Sequence, residues 1–174
     1  MLRFNDISTR GELADFLEIP RRKLTHVLYV ERADSYYKSF EIPKKNGGTR
    51  HINAPTGTLK DIQKRLVVAL WEHQESIRYG EVLSVRGEKG KGTNLSHAFE
   101  KKKSIITNAA IHRNKRFVYN VDLEDFFDSF HFGRVRGYFV KNRYFQLPNE
   151  VATVIAQLVC YNGCLPQGAP SSPL

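Results

Sequence analysis

The strongest constraint on this chain is the way its hydrophobic period changes along the sequence. Leu59, Ile62, Leu66, Val67, Leu70 and Trp71 fall three and four positions apart, the apolar stripe of a long helix. From Phe117 to Asp122 the period drops to two. Phe117, Tyr119 and Val121 face one way and Val118, Asn120 and Asp122 the other, which predicts a strand. Val151, Val154, Ile155, Leu158 and Val159 then return to helical spacing. Both periods in one chain predict a mixed α/β (α+β) architecture.

Local signals fill in the rest. Thr9 and Glu12 form a capping-box pattern ahead of Leu13, Phe16 and Leu17, and Pro20 ends that helix and opens a second through Leu24, Val27 and Leu28. Residues 9–30 therefore also fit a helix-turn-helix. Tyr36–Ile42 and Arg50–Asn53 read as paired strands, joined by a turn around Asn46-Gly47. Thr58 and Asp61 predict a capping box for the long helix, which should end near Gly80. Gly87, Gly90 and Gly92 mark a loop. Between Leu95 and Asn108 the pattern favours helix over strand. Pro148 opens the last helix and Gly163 is its expected stop.

At 174 residues the chain is long enough to bury a substantial core. No apolar run approaches the roughly 20 residues of a membrane span, and the first residues lack the charged start and apolar stretch of a secretion signal. Cys160 and Cys164 are the two cysteines. One C-x-x-x-C pair is neither a zinc site nor a disulfide framework, so reduced thiols and a cytoplasmic setting are expected. Of the net charge of +9, the segment 86–116 carries +7, with nine basic residues against Glu88 and Glu100. Asp122, Glu124, Asp125 and Asp128 follow at once. A basic stretch abutting an acidic knot suits a polyanion held beside a metal ion. A solvated loop beside an acidic helix start would give the same pattern.

Two motifs carry the chemistry. In Asp122-Leu123-Glu124-Asp125-Phe126-Phe127 a carboxylate at a strand end is a natural oxygen ligand for Mg²⁺, although Asp122 would equally cap a helix over core phenylalanines. In Leu165-Pro166-Gln167-Gly168-Ala169-Pro170-Ser171-Ser172-Pro173, three prolines and a glycine hold Gln167 on a stiff platform of small residues, open to close approach by a flat ligand.

Taken in order, the hairpin Ile42-Pro43-Lys44-Lys45-Asn46-Gly47-Gly48-Thr49-Arg50, the Asp122 motif and the Gln167 platform resemble the reverse transcriptase family, from about Tyr36 to Leu174. The likeness is to bacterial enzymes of the retron and group II intron branch. Asn108-Ala109-Ala110-Ile111-His112 is similar to an Asn-Ala-x-x-His element of the retron type. This resemblance implies the fingers and partial palm of a right-hand polymerase: an N-terminal helical segment over 1–35, fingers over 36–115 and partial palm over 116–174. It implies that Asp122 and the Leu123 carbonyl bind Mg²⁺ in a two-metal nucleotidyl-transfer site. It implies that Lys44 and Arg50 clamp the triphosphate of a dNTP, with Lys45 a weaker candidate, and that the backbone N–H groups of Asp125 and Phe126, at a helix start, bind its oxygens. Phe127 would be the steric gate against a 2′-hydroxyl, and Gln167 the platform beside the nucleotide. Lys101, Lys102, Lys103, Asn108, His112 and Arg113 would meet RNA. The partners implied are an RNA template, an RNA/DNA duplex, a dNTP, a cognate structured non-coding RNA and an effector protein, in a phage-defence setting.

One departure bears on activity. The family's Tyr-x-Asp-Asp hairpin is missing, because no Asp-Asp dipeptide occurs in the sequence. The expectation is therefore fingers and upper palm, inactive alone. A group II intron maturase and a non-catalytic nucleic-acid-binding module built on residues 9–30 remain alternatives.

Overall fold

The computed structural model describes residues 3–44, 47–84, 97–98 and 103–173, without the side chains of 78–84. Among these residues the fold is α+β: six helices and one two-stranded antiparallel sheet. Helix α1 (Arg10–Phe16) is capped by Thr9, whose side chain accepts from the Glu12 N–H at 3.2 Å. Glu12 answers by accepting from the N–H of Ser8 at 2.7 Å, one residue before the cap. Helix α2 (Arg21–Thr25) starts after Pro20 and runs into a π-helical turn, His26–Val30.

Strands β1 (Tyr37–Pro43) and β2 (Thr49–Pro55) pair as the sequence predicts, with Ile42 opposite Arg50 and Phe40 opposite Ile52. The connection closes through the Lys44 N–H to the Gly48 carbonyl at 3.0 Å; Lys45 and Asn46 lie outside the described residues. Helix α3 (Gly57–Ser84) differs from expectation at both ends. It starts at Gly57, so Thr58 lies inside the helix and caps nothing; Thr56 instead donates its hydroxyl to the Tyr36 carbonyl at 2.8 Å. It also continues through Gly80, because a glycine inside a helix costs only about 1 kcal/mol and does not by itself end it.

Helix α4 (Ile105–His112) realises the helical preference near Asn108, with a capping box between Ser104 and Thr107. The glycines 87, 90 and 92 lie outside the described residues. Helix α5 (Phe132–Lys141), capped by the His131 ring, was not evident from the sequence. Helix α6 (Asn149–Val159) begins after Pro148 as predicted, but its stop is Cys160, which turns extended. Gly163 serves a different purpose. With Asn162 it makes a two-residue turn, both at positive φ (49° and 81°), closed by Tyr161 N–H to Cys164 O at 2.8 Å. This is the turn chemistry of an Asn-Gly hairpin.

A correction concerns the segment 117–122, which forms no strand. Phe117, Tyr119 and Val121 are 82%, 90% and 70% exposed. Alternation supplies a face, but a ladder also needs a neighbour, and none of the described residues pairs with this segment.

The core is a single cluster. It joins Phe4, Leu13 and Leu24 of the N-terminal region to Leu59, Ile62 and Leu66 of α3. Val135 and Phe139 of α5 enter the same cluster. Helix α6 sits at its centre, buried at Val151, Ala152, Val154, Ile155, Ala156, Leu158 and Val159. The hairpin is anchored to this core at its base. Fully buried Gln63 donates its amide to the Tyr37 hydroxyl at 2.8 Å and to the Leu158 carbonyl at 2.7 Å, and Tyr37 stacks on Tyr161 at 4.4 Å. No helix among the described residues is long and apolar enough to cross a membrane.

Candidate nucleotide and nucleic-acid site

The hairpin meets the Pro-rich segment edge to edge. The Asn53 N–H donates to the Gln167 carbonyl at 2.8 Å. Beside it Gly168 has φ +115°, and a Cβ there would stand 2.5 Å from Ile52 Cγ2 and 3.3 Å from the Asn53 carbonyl. A conformation and a clearance of this kind admit only glycine. The sequence marked Gly168 as a point of close approach, but what approaches it is β2. Arg50 and Ile52, two residues apart, share a strand face, as does Ile42 across the ladder. The face carrying Arg50 is therefore the one that abuts the platform. Exposed Lys44 lies just past the end of the ladder. Thus the hairpin bearing Lys44 and Arg50 and the platform bearing half-buried Gln167 form one unit.

A second seam joins the platform to the Phe127 region. Leu165 N–H donates to the Phe130 carbonyl at 3.0 Å and Phe132 N–H to the Gly163 carbonyl at 2.7 Å. Residues 124–129 are turns, so Asp125 and Phe126 do not open a helix as expected. Asp125 sits at φ +48°, a left-handed conformation that diverts the chain from helical geometry. The N–H groups of Asp125 and Phe126 find no acceptor among the described residues. Phe127 is half-buried and meets Phe126 edge to face at 5.5 Å.

Asp122 is exposed, and its carboxylate accepts from the Leu123 N–H at 3.1 Å. Among the described residues no group of three His, Cys, Asp or Glu side chains converges in a way that could hold a metal ion. One carboxylate and the Leu123 carbonyl do not make a two-ion site, since each Mg²⁺ needs an octahedron of oxygens. On α4, Asn108 and His112 stand one turn apart on an exposed face, with exposed Arg113 following. Lys101 and Lys102 lie outside the described residues; Lys103 is half-buried.

Sequence reasoning missed Ile52 and Asn53 as the residues that lock hairpin to platform. The parity of Ile52 with Arg50 was the available signal; the Asn53 contact runs through its backbone N–H and had none. It missed α5 as well, although Phe132, Val135 and Phe139 are helically spaced, because Gly133 and Gly137 interrupt them.

No protein-family model matches the chain. Curated relatives do. It is 34% identical over 148 residues to the retron Ec86 reverse transcriptase of Escherichia coli, across 84% of this chain and 40% of that protein. The retron Mx65 reverse transcriptase of Myxococcus xanthus is 31% identical over 156 residues, 79% of this chain and 32% of the relative. Its Mx162 counterpart, from the same organism, is 28% identical over 185 residues, 97% of this chain and 35% of the relative. The chain thus spans about a third to two fifths of the length of these relatives. With several such matches running through most of its length, the chain belongs to the retron reverse transcriptases.

Proposed function

We propose that this chain is the fingers (36–115) and upper palm (116–174) of an RNA-directed DNA polymerase of the retron type, preceded by a helical segment over 1–35. The observation that carries the reading is the junction of hairpin and platform. The Asn53–Gln167 hydrogen bond and the close approach at Gly168 place the Arg50 face beside Gln167. Arg50 suits a triphosphate through its bidentate guanidinium and Lys44 through a point charge. The unengaged N–H groups of Asp125 and Phe126 are donors for phosphate oxygens, and Phe127 next to them is the gate for the sugar. Lys101, Lys102, Lys103, Asn108, His112 and Arg113 are the RNA contacts of this reading, with a template strand and a cognate structured RNA as the partners. An effector protein and a role in phage defence accompany the retron reading.

The complete activity calls for two Mg²⁺ ions, which would lower the charge on the phosphates and activate the primer hydroxyl. This reading assigns one carboxylate, Asp122, to that purpose, and one carboxylate does not hold two Mg²⁺ ions, so the chain is expected not to extend a primer on its own. In a primer-extension assay with an RNA template we expect no template-dependent incorporation. Incorporation abolished by Asp122→Ala would overturn the inactivity. Hydrogen exchange tests the nucleotide site itself. Mg²⁺–dATP should slow exchange around Phe127 and Gln167 in the wild-type chain, and less so in Arg50→Ala. Protection by duplex DNA confined to residues 9–30, with none from dATP, would replace this reading with a binding module.

A further inference from the structure

Between α3, α5, α6 and the 165–173 segment lies a cavity of about 300 Å³. That is the lower end of the size range of small-molecule sites. Its wall is mostly apolar and includes the rings of Phe126, Phe130, Tyr138, Phe139 and Phe145. Many of these pack edge to face or tilted at 5.0–5.5 Å, as in Phe126–Phe130, Tyr138–Phe139 and Tyr138–Phe145. A slot walled this way selects a flat aromatic guest, which adds further edge and face contacts of the same kind.

The polar groups on the wall are few. Ser171 lines the cavity at 7% exposure, and its Oγ finds no hydrogen-bond partner among the described residues. Its neighbour Ser172, equally buried, is satisfied by donating to the Pro166 carbonyl at 2.6 Å. A buried hydroxyl without a partner bears the desolvation cost of a hydrogen bond it does not make. The other polar residues of the lining are Gln74, Tyr138, Arg134 and Ser172, and none of them bonds the Ser171 hydroxyl. At the rim stands Arg134. Its guanidinium donates to the Ser129 carbonyl at 3.1 Å and lies 5.4 Å over the Phe130 ring, exposed and with no carboxylate partner among the described residues.

We infer that this cavity binds a small planar aromatic acid, with its ring among the phenylalanines, its polar edge on the Ser171 hydroxyl and its carboxylate at Arg134. The inference does not depend on the polymerase reading. Phe126 belongs both to this wall and to the turn that carries Phe127, so an occupied cavity bears directly on the position of that turn.

Titration of the full chain with 5-hydroxynaphthalene-1-carboxylate, whose hydroxyl supplies the polar edge, and with 5-hydroxynaphthalene-1-carboxamide as its uncharged isostere, provides the test. Calorimetry should show one saturable site, with the acid bound more tightly than the amide. Ser171→Ala should weaken both about fivefold, the worth of one ordinary hydrogen bond. Arg134→Gln should remove the preference for the acid, and Gln74→Trp, which fills the mouth from α3, should abolish binding of either. Each variant is checked by circular dichroism and urea midpoint, so that lost binding is scored only where the fold is kept. Absence of saturation up to about 1 mM, or equal affinity in wild type, Ser171→Ala and Gln74→Trp, would overturn the proposal. Dimerisation of the free chain abolished by Tyr138→Asp, with no binding of the acid, would overturn it in favour of a second copy.

Discussion

Gly168 has two reasons to be glycine, and they are separable. Its φ of +115° is unfavourable for any side chain, and its missing Cβ leaves room for Ile52 Cγ2, which would otherwise stand at 2.5 Å. Gly168→Ala should therefore destabilise the chain by about 2 kcal/mol, read from the urea midpoint. Ile52→Ala in the same chain should recover part of the loss, because the clash is relieved while the backbone strain stays. Full recovery would mean that the backbone conformation costs nothing. No recovery would mean that the clash is not felt. The sequence made Gly168 conspicuous because glycine between prolines is rare without a conformational reason. It did not reveal the neighbour, because the pairing of Gln167 with Asn53 is a contact between distant segments that no local pattern encodes.

At the level of elements, α6 shows where sequence patterning suffices. Its apolar residues follow helical spacing and Pro148 fixes its start, and the helix lies almost wholly inside the core. Leu158 is fully buried, and its carbonyl receives the Gln63 amide. Leu158→Ala should cost about 3 kcal/mol, as removal of a buried leucine side chain does when the site relaxes only in part. A shift in urea midpoint with an unchanged m-value is the expected signature; a change below about 1 kcal/mol would place Leu158 outside the well-packed region. The segment 117–122 shows where patterning is not enough. Alternation at Phe117, Tyr119 and Val121 was plain, yet helices satisfy their own backbone and strands require another strand. The reading of period was correct and the state was not realised.

Across the whole molecule, buried Cys160 and half-buried Tyr37 tie stability to alkaline pH. Burial pushes the Cys160 thiol up to about 12 and raises the Tyr37 phenol further still. Both are neutral in the folded chain at pH values where an unfolded chain would ionise them, near 9 and 10. Their contribution is therefore complete below about pH 9 and declines as pH rises from there toward the folded values. Urea midpoints should be level between about pH 7 and 8 and fall steadily above 9, with a shallower fall in Cys160→Ala. A midpoint that holds to pH 11 would show that neither group is shielded as the structure describes. The site follows the same division between local and distant information. The residues proposed for the site, Lys44, Arg50, Asp122, Phe127 and Gln167, were named from motifs, because side-chain chemistry is local. The joining of hairpin, platform and Phe127 turn was not legible, because it depends on seams such as Asn53–Gln167 and Phe130–Leu165.

The junction at Gly168 also limits how the hairpin can travel. With Ile52 already at the surface of a glycine backbone, no clearance remains on the platform side, and the Gln63–Tyr37 anchor holds the base of β1. Releasing the Asn53–Gln167 bond frees the hairpin to move outward, whereas an advance toward the platform would drive Ile52 into the Gly168 backbone. The spacing between β2 and the platform therefore has a minimum set by the backbone itself.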